Sequence, residues 1–390
     1  MLNITRLLCG VPTPGDDLRY GERKTDGTRA EPVHAKPVVV WNITRRCNLR
    51  CVHCYSSSVD SLYPGELSTT QAKSVLEDLS CFGIPVVLFS GGEPTTRLDL
   101  PDLVQYAAQL GLRPVLSTNG TLLTSDLVGC LYEAGLRRIG ISLDGLGPTN
   151  DAFRGKDGAF EAALSGIRES IRGGMRLSLR VTLTTRTVRS LPGLFDLAEQ
   201  EGIPRFCIYH LAYAGRGRKL LPFDLSHEDR RRTVEYIFDR TLQSASNGIG
   251  LEVLTVDNHA DGAHLLMWSA RHAPDRVGPA LRLLRRNGGN TAGKGIACID
   301  NVGDVHPDQF WWTQTVGNVL ERPFSEIWTD PDIDLLAKLR DRKAFLPKRC
   351  SECRWLDICN GNLRVRAESA TRDLWSSDPA CYLTEGEIRV

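Results

Sequence analysis

The chain has 390 residues, 41% of them apolar, with 48 basic against 47 acidic side chains and a formal net charge of +1. That balance offers no electrostatic case for nucleic acid or a membrane surface, and no apolar run approaches the length of a membrane span. Seven of the twelve cysteines fall in two clusters, and in a chain with this much core-forming material they read as metal ligands of a cytoplasmic protein, not as a secreted disulfide framework.

Residues 1–36 are polar, rich in Gly and Pro and without clear periodicity, and predict an arm lying on a domain. The opening "MLNITRLLCG" is interrupted by Arg6 and too short for a signal segment. From 37 onward short apolar runs alternate with helical patterns. Runs at 38–44, 85–90, 113–118, 138–144, 177–184 and 205–211 read as buried strands. Ser68 and Gln71 form a capping box ahead of the stripe Ala72, Val75, Leu76 and Leu79, and Ser226 with Asp229 opens a helix near 227–245. Such alternation predicts parallel βα units, hence an α/β fold with a partial (β/α)6 TIM-like barrel over 37–257 and chemistry at the C-terminal ends of its strands. Beyond 257 the alternation fades. Residues 258–295 are irregular, 296–310 predict a hairpin turning at Gly303-Asp304, and 258–390 read as a smaller C-terminal domain.

The stretch "CNLRCVHCY", residues 47–55, follows the first predicted strand of the barrel directly. Its C-x3-C-x2-C spacing supplies three thiolates, Cys47, Cys51 and Cys54, where a structural zinc asks for four ligands. A [4Fe–4S] cluster held by three cysteines keeps one iron open to a small molecule. Further motifs lie at successive strand ends: Ser90–Pro94 (SGGEP), 117–120 (STNG), 142–145 (SLDG) and Arg154 in "FRG". Together they resemble the radical S-adenosylmethionine (radical SAM) superfamily. The resemblance implies that Cys47, Cys51 and Cys54 hold a SAM-binding [4Fe–4S] cluster. It also implies SAM contacts from Tyr55, Gly91, Gly92, Glu93, Pro94, Ser117, Asn119, Ser142, Asp144 and Arg154. A flavodoxin or ferredoxin would be the electron donor. A non-catalytic iron–sulfur carrier gives no reason for the GGEP motif or the open iron.

Cys350, Cys353, Cys359 and Cys381 offer four thiolates, a closed site that takes zinc or an iron–sulfur cluster. This tail resembles the SPASM-type extension of the same superfamily, which implies a second, auxiliary [4Fe–4S] cluster. Leu363, and His306 with its neighbours in the hairpin, stand where ligands of a further auxiliary cluster would fall, so that cluster is expected to be lost. The scattered Cys9, Cys81, Cys130, Cys207 and Cys298 read mainly as free thiols.

The blocks 256–262 (VDNHADG), 287–312 and 316–319 (VGNV), with the cysteine-rich tail, are similar to radical SAM proteins that trim siroheme-derived tetrapyrroles. This implies 12,18-didecarboxysiroheme as substrate. One branch removes acetates to give Fe-coproporphyrin III on the siroheme-dependent heme route; the other removes propionates on the way to heme d1. The opening "ITRLLCG…DDLRYGER" resembles the first branch more. A SPASM-type peptide maturase is a further alternative, although the 36-residue arm is short for a peptide-recognition module. His210, His259, His264 and His306 are candidates for the substrate's iron or carboxylates, with His306 favoured. Arg216 and Arg218, after the sixth run, are candidates for its carboxylates, and Phe310, Trp311 and Trp312 offer flat apolar surface.

Overall fold

A two-residue strand, β1 (Leu2–Asn3), precedes six strands formed by the six apolar runs: β2 (Val38–Asn42), β3 (Val87–Ser90), β4 (Pro114–Thr118), β5 (Arg138–Ser142), β6 (Arg176–Leu183) and β7 (Arg205–His210). The computed structural model describes residues 1–21 and 36–389. β2 to β7 pair in parallel with each neighbour. β8 (Glu252–Val256) adds a seventh parallel strand beside β7. All five of its residues are buried, so it has no alternation to betray it.

At the opposite edge β9 (Ile296–Ile299) runs parallel to β2, and β10 (Asp304–His306) and β11 (Gly317–Asn318) follow antiparallel. The sheet order is β1-β8-β7-β6-β5-β4-β3-β2-β9-β10-β11, a partial barrel of mixed sense. The expected hairpin is β9–β10. It pairs with the first barrel strand, so one sheet runs through the boundary expected at 257.

The N-terminal segment is less of an arm than its composition predicts. Leu2 and Asn3 pair antiparallel with Thr255 and Leu254, and Ile4, Leu7 and Leu8 of the helix Ile4–Cys9 are buried in the main core. The segment thereby covers the edge of β8 that would otherwise offer unpaired backbone groups. The rest of the expected arm, residues 22–35, lies outside the described residues.

Helices cover the outer face of the sheet. The helix Thr69–Phe82 starts at Ser68, whose side chain accepts from Gln71 N–H while Gln71 reaches back, and it buries Ala72, Val75, Leu76 and Leu79. The helix His227–Ser246 starts at Ser226, which accepts from Asp229 N–H. Trp41 and Phe89, cross-strand partners, face these helices, whereas their neighbours Val40, Leu88 and Ser90 face inward. This period-two alternation leaves small and polar side chains at the inner ends of the strands, where the cavity opens. Among the described residues no helix is long and apolar enough to cross a membrane.

Candidate active site

The cysteine loop leaves the C-terminal end of β2 and is held down at several places. Cys47 N–H donates to Val59 C=O, and Arg50 and Val52 N–H donate to the carbonyls of Arg154 and Phe153. Tyr55 O–H donates to Asn42 Oδ1 of β2 at 2.8 Å, and its ring meets those of Phe310 and Trp312 edge-on. Cys47 and Cys51 are buried, Cys54 is half-buried, and the three share one small cluster with Leu49 and Ala159.

The donors around these sulfurs suit thiolates. Arg154 Nη1 lies 3.8 Å from Cys51 Sγ, Asn119 Nδ2 lies 4.0 Å from Cys47 Sγ, and Leu49 N–H points at Cys47 Sγ from 3.5 Å. Without metal, burial pushes the Cys47 thiol up to about 12 and raises Cys51 as well. The thiolates these donors favour therefore need a cation to complete them.

The GGE turn serves this loop. Gly92 N–H donates to Thr44 C=O and Glu93 N–H to Arg46 C=O, both at 2.7 Å. A Cβ on Gly91 or Gly92 would overlap the backbone of Thr44 or of Arg45 and Arg46, so both glycines are required by the backbone before any ligand enters. Glu93 is fully buried. Its Oε1 accepts from Thr95 and from Thr118 Oγ1, and its Oε2 accepts from Asn119 N–H at 2.7 Å. Burial raises its pKa and these bonds oppose the rise. Its direct role is to tie the ends of β3 and β4 together, and Pro94 opens the short turn that follows.

Just past β5, Asp144 pairs with Arg154 at 2.5 Å and accepts from Thr182 N–H at 2.7 Å. His53 of the cysteine loop faces the same carboxylate from 3.5 Å, and burial pushes this imidazole down to about 4. Ser90, Ser117, Ser142, Asp144, Arg154 and Tyr55 line one cavity of about 780 Å³ with His53, Arg180, Tyr209, Asp257 and Phe310. A chamber of about 1690 Å³ shares Arg180, Tyr209, Asp257 and Phe310 with it and runs deeper into the barrel. Of the expected SAM-contact residues Tyr55, Ser117, Ser142, Asp144 and Arg154 border this space, whereas Gly91, Gly92, Glu93, Pro94 and Asn119 do not line it; Arg180, Tyr209, Asp257 and His53 were not expected there. The one sequence signal for Arg180 is a charge in the middle of the apolar run at 177–184.

Two expected substrate contacts fall elsewhere. Arg216 does not line the cavity: its Nε donates to Cys51 C=O and its Nη1 to Ser58 C=O, each at 2.8 Å, so it clamps the cysteine loop. The reach of a long side chain back across the strand ends decides this, and sequence position does not reveal it. His306, also outside the cavity lining, is buried in the hairpin with Nδ1 2.9 Å from Gln314 C=O and its ring stacked on Trp312. Its β10 position faces Cys298 of β9, whose Sγ accepts from Asn42. Leu363 is packed with Trp311 in an apolar cluster. His210 borders the cavity but is paired with Asp261 at 2.9 Å, and His264 lies 3.0 Å from Glu235.

Cys350, Cys353, Cys359 and Cys381 are all half-buried and near enough that each thiol bears on the ionisation of Cys359, after burial as the main cause. Arg349 Nη1 reaches Cys381 Sγ at 3.5 Å, Trp355 N–H reaches Cys353 Sγ at 3.4 Å, and Ser377 Oγ lies 3.8 Å from Cys350 Sγ. Among the described residues no three Cys, His, Asp or Glu side chains stand at the spacing of a single-ion site.

The family model of the radical SAM superfamily matches residues 41–198. A protein of Methanosarcina barkeri named Fe-coproporphyrin III synthase is 50% identical, over 100% of this chain and 99% of its own. A protein of Dinoroseobacter shibae named pre-heme d1 synthase is 46% identical over 90% of this chain and 87% of its own. The crystal structure of Streptococcus suis SuiB bound to S-adenosylmethionine superposes with a TM-score of 0.69 at 20% identity, over 89% of this chain and 77% of that one, and so shares the fold.

Proposed function

This chain belongs to the radical SAM superfamily, and we propose that it removes the peripheral acetate side chains of 12,18-didecarboxysiroheme to give Fe-coproporphyrin III, a step of siroheme-dependent heme biosynthesis. The observation that carries the reading is the 50% identity, end to end, with the archaeal Fe-coproporphyrin III synthase. When bound at Cys47, Cys51 and Cys54, a [4Fe–4S] cluster and SAM supply a 5′-deoxyadenosyl radical that takes a hydrogen atom from the substrate.

The chain's own residues do the rest. Arg154 and Asn119 donate toward the loop sulfurs and hold them as thiolates. Asp144 fixes Arg154 at the cavity wall, where a methionyl carboxylate would meet it. Gly91 and Gly92 keep the GGE turn against the loop, so the strand ends that would take the methionyl and ribose groups stay in register with the cysteines. Tyr55 and Phe310 give the cavity an aromatic surface suited to a flat macrocycle, and Trp312 stands edge-on to Tyr55 outside its lining.

The second cluster of thiols would hold an auxiliary [4Fe–4S] cluster. The reading rests on the likeness of this tail to the SPASM-type extension, and Arg349 and Arg364 add positive charge beside the thiols, as an anionic cluster asks. Such a cluster would pass electrons from a flavodoxin- or ferredoxin-like donor or brace the C-terminal segment against the barrel.

The second reading rests on the pre-heme d1 synthase likeness: loss of propionates from the same precursor. Anaerobic turnover with 12,18-didecarboxysiroheme and mass analysis of the product separates the two. Loss of both acetates supports the proposal. Loss of two propionates with acetates retained makes this the heme d1 branch. An unaltered tetrapyrrole alongside 5′-deoxyadenosine formation refutes both.

A further inference from the structure

Of the two arginines that line the upper cavity, Arg154 has an acid and Arg180 has none among the described residues. Arg180 lies within β6, on the inward face with Ser178 and Thr182, and borders both the cavity at the strand ends and the deeper chamber. Its side chain crosses over β5 and donates from Nη1 to Ser117 Oγ on β4. The crossing is possible because residue 140 is glycine: a Cβ there would overlap the guanidinium. Arg180 Nε is buried without a hydrogen-bond partner, and among the described residues no carboxylate lies within ion-pair distance of it.

The neighbouring charges do not fill this gap. Arg154, the other arginine of the upper cavity, is already satisfied by Asp144 at 2.5 Å. Asp257, across Tyr209 on the far wall, is held at φ 67°, and its Oδ2 has no hydrogen-bond partner. Burial pushes this carboxyl up to about 7, so it is a weak counter-charge and, when protonated, a donor. A guanidinium keeps its proton at any working pH, and here it is half-buried, with one hydroxyl partner and an Nε out of water and unpaired. Such a side chain, given room by a glycine and left open to a cavity, is built for an anion that arrives with the ligand.

We infer that Arg180 binds a carboxylate of the tetrapyrrole substrate inside the barrel, the role the sequence assigned to Arg216. This rests on the reading of the substrate given above. The carboxylate would reach Arg180 from the chamber that it shares with Tyr209 and Asp257. The siroheme-derived macrocycle carries carboxylates on its rim, so one of them anchored at depth sets which edge of the ring faces the cysteine loop.

The test uses the reconstituted full-length protein under anaerobic conditions, with 12,18-didecarboxysiroheme titrated by absorbance and SAM by equilibrium dialysis. Loss of one charge-assisted contact predicts that Arg180→Met weakens tetrapyrrole binding about tenfold or more, with Arg180→Lys between it and wild type. SAM affinity should fall less than tetrapyrrole affinity, because Arg180 meets the SAM side of the cavity only through Ser117. Gly140→Ala, which leaves the arginine in the chain but takes its space, should reproduce the defect and serves if Arg180→Met fails to fold. Wild-type tetrapyrrole affinity in Arg180→Met or Gly140→Ala overturns the inference and leaves the proposed function standing. A comparable fall in SAM affinity overturns it too, because SAM carries a carboxylate of its own. Failure of the wild-type protein to bind the tetrapyrrole removes the substrate reading and the inference with it.

Discussion

The α-carbon of Gly92 packs against the carbonyl of Arg46, one residue before the first loop cysteine, with no space for a Cβ between them. The contact joins the end of β3 to the start of the cysteine loop, and the neighbouring Glu93 N–H donates to the same carbonyl at 2.7 Å. Gly92→Ala should therefore force the two backbones apart, destabilising the protein by about 1–3 kcal/mol. Gly129, exposed on the helix Ser125–Glu133 with nothing near its missing Cβ, is the control. Its change to Ala should be neutral or stabilising by up to about 1 kcal/mol. Thermal melts of the two variants, with iron content after reconstitution, check the contrast; equal melting temperatures would mean the turn yields at little cost.

Each of Cys47→Ala, Cys51→Ala and Cys54→Ala should abolish SAM cleavage, because each sulfur would hold one iron and no spare ligand adjoins it. Substantial 5′-deoxyadenosine from any one of the purified variants would sink the assignment of that cysteine.

Two cubes predict about eight irons per fully reconstituted chain. Substituting Cys47, Cys51 and Cys54 together should leave about four, and substituting Cys350, Cys353, Cys359 and Cys381 together should leave the other four or so. Zinc in place of the iron that remains in the first variant would assign the C-terminal site a structural metal.

Arg216→Met removes two charge-assisted hydrogen bonds to the carbonyls of Cys51 and Ser58. Bonds of this kind contribute about 1.5–3 kcal/mol each, so the loop should hold its iron less firmly. The expected result is faster release of iron to a chelator, with tetrapyrrole affinity much less affected. The reverse pattern, normal iron release and weakened tetrapyrrole binding, would return Arg216 to the substrate role that its place in the sequence implies.

Asp257 gives a pH dependence whose sign can be worked out. Burial pushes its carboxyl up to about 7, so the folded protein retains a proton that the unfolded chain releases in the ordinary carboxylate range. The stability tied to that proton is present at low pH and is lost as pH rises through about 7. Asp257→Asn, neutral throughout, should gain stability over wild type as pH rises from about 4 to about 7 and keep that gain above it, read by denaturant midpoints. Asp308, the Met1 amino group, Arg366 and Asp378 act on the same carboxyl and are present in both proteins, so the difference between the two curves isolates Asp257. Parallel curves would place its pKa outside that window.

What the sequence could determine alone was whatever depends on near neighbours. The cysteine loop, the GGE turn, the capping box at Ser68 and the six alternating runs are contiguous, and their spacing carries the geometry with it. The superfamily and the strand ends that surround the cavity were therefore legible. β8 was not, because a strand buried on both faces shows no period, and the helix Ile4–Cys9 was not, because its apolar face is short and gains its burial from β8 and from the helices His227–Ser246 and Pro274–Asn287. The choice between Arg216 and Arg180 belonged wholly to the tertiary structure. Both are arginines in the second half of the barrel. Arg216 finds carbonyls 165 and 158 residues away and closes on them, while Arg180 finds one hydroxyl 63 residues away and no acid. Whether a charge is satisfied is a property of what surrounds it in space, and folding assembles those surroundings from distant parts of the chain.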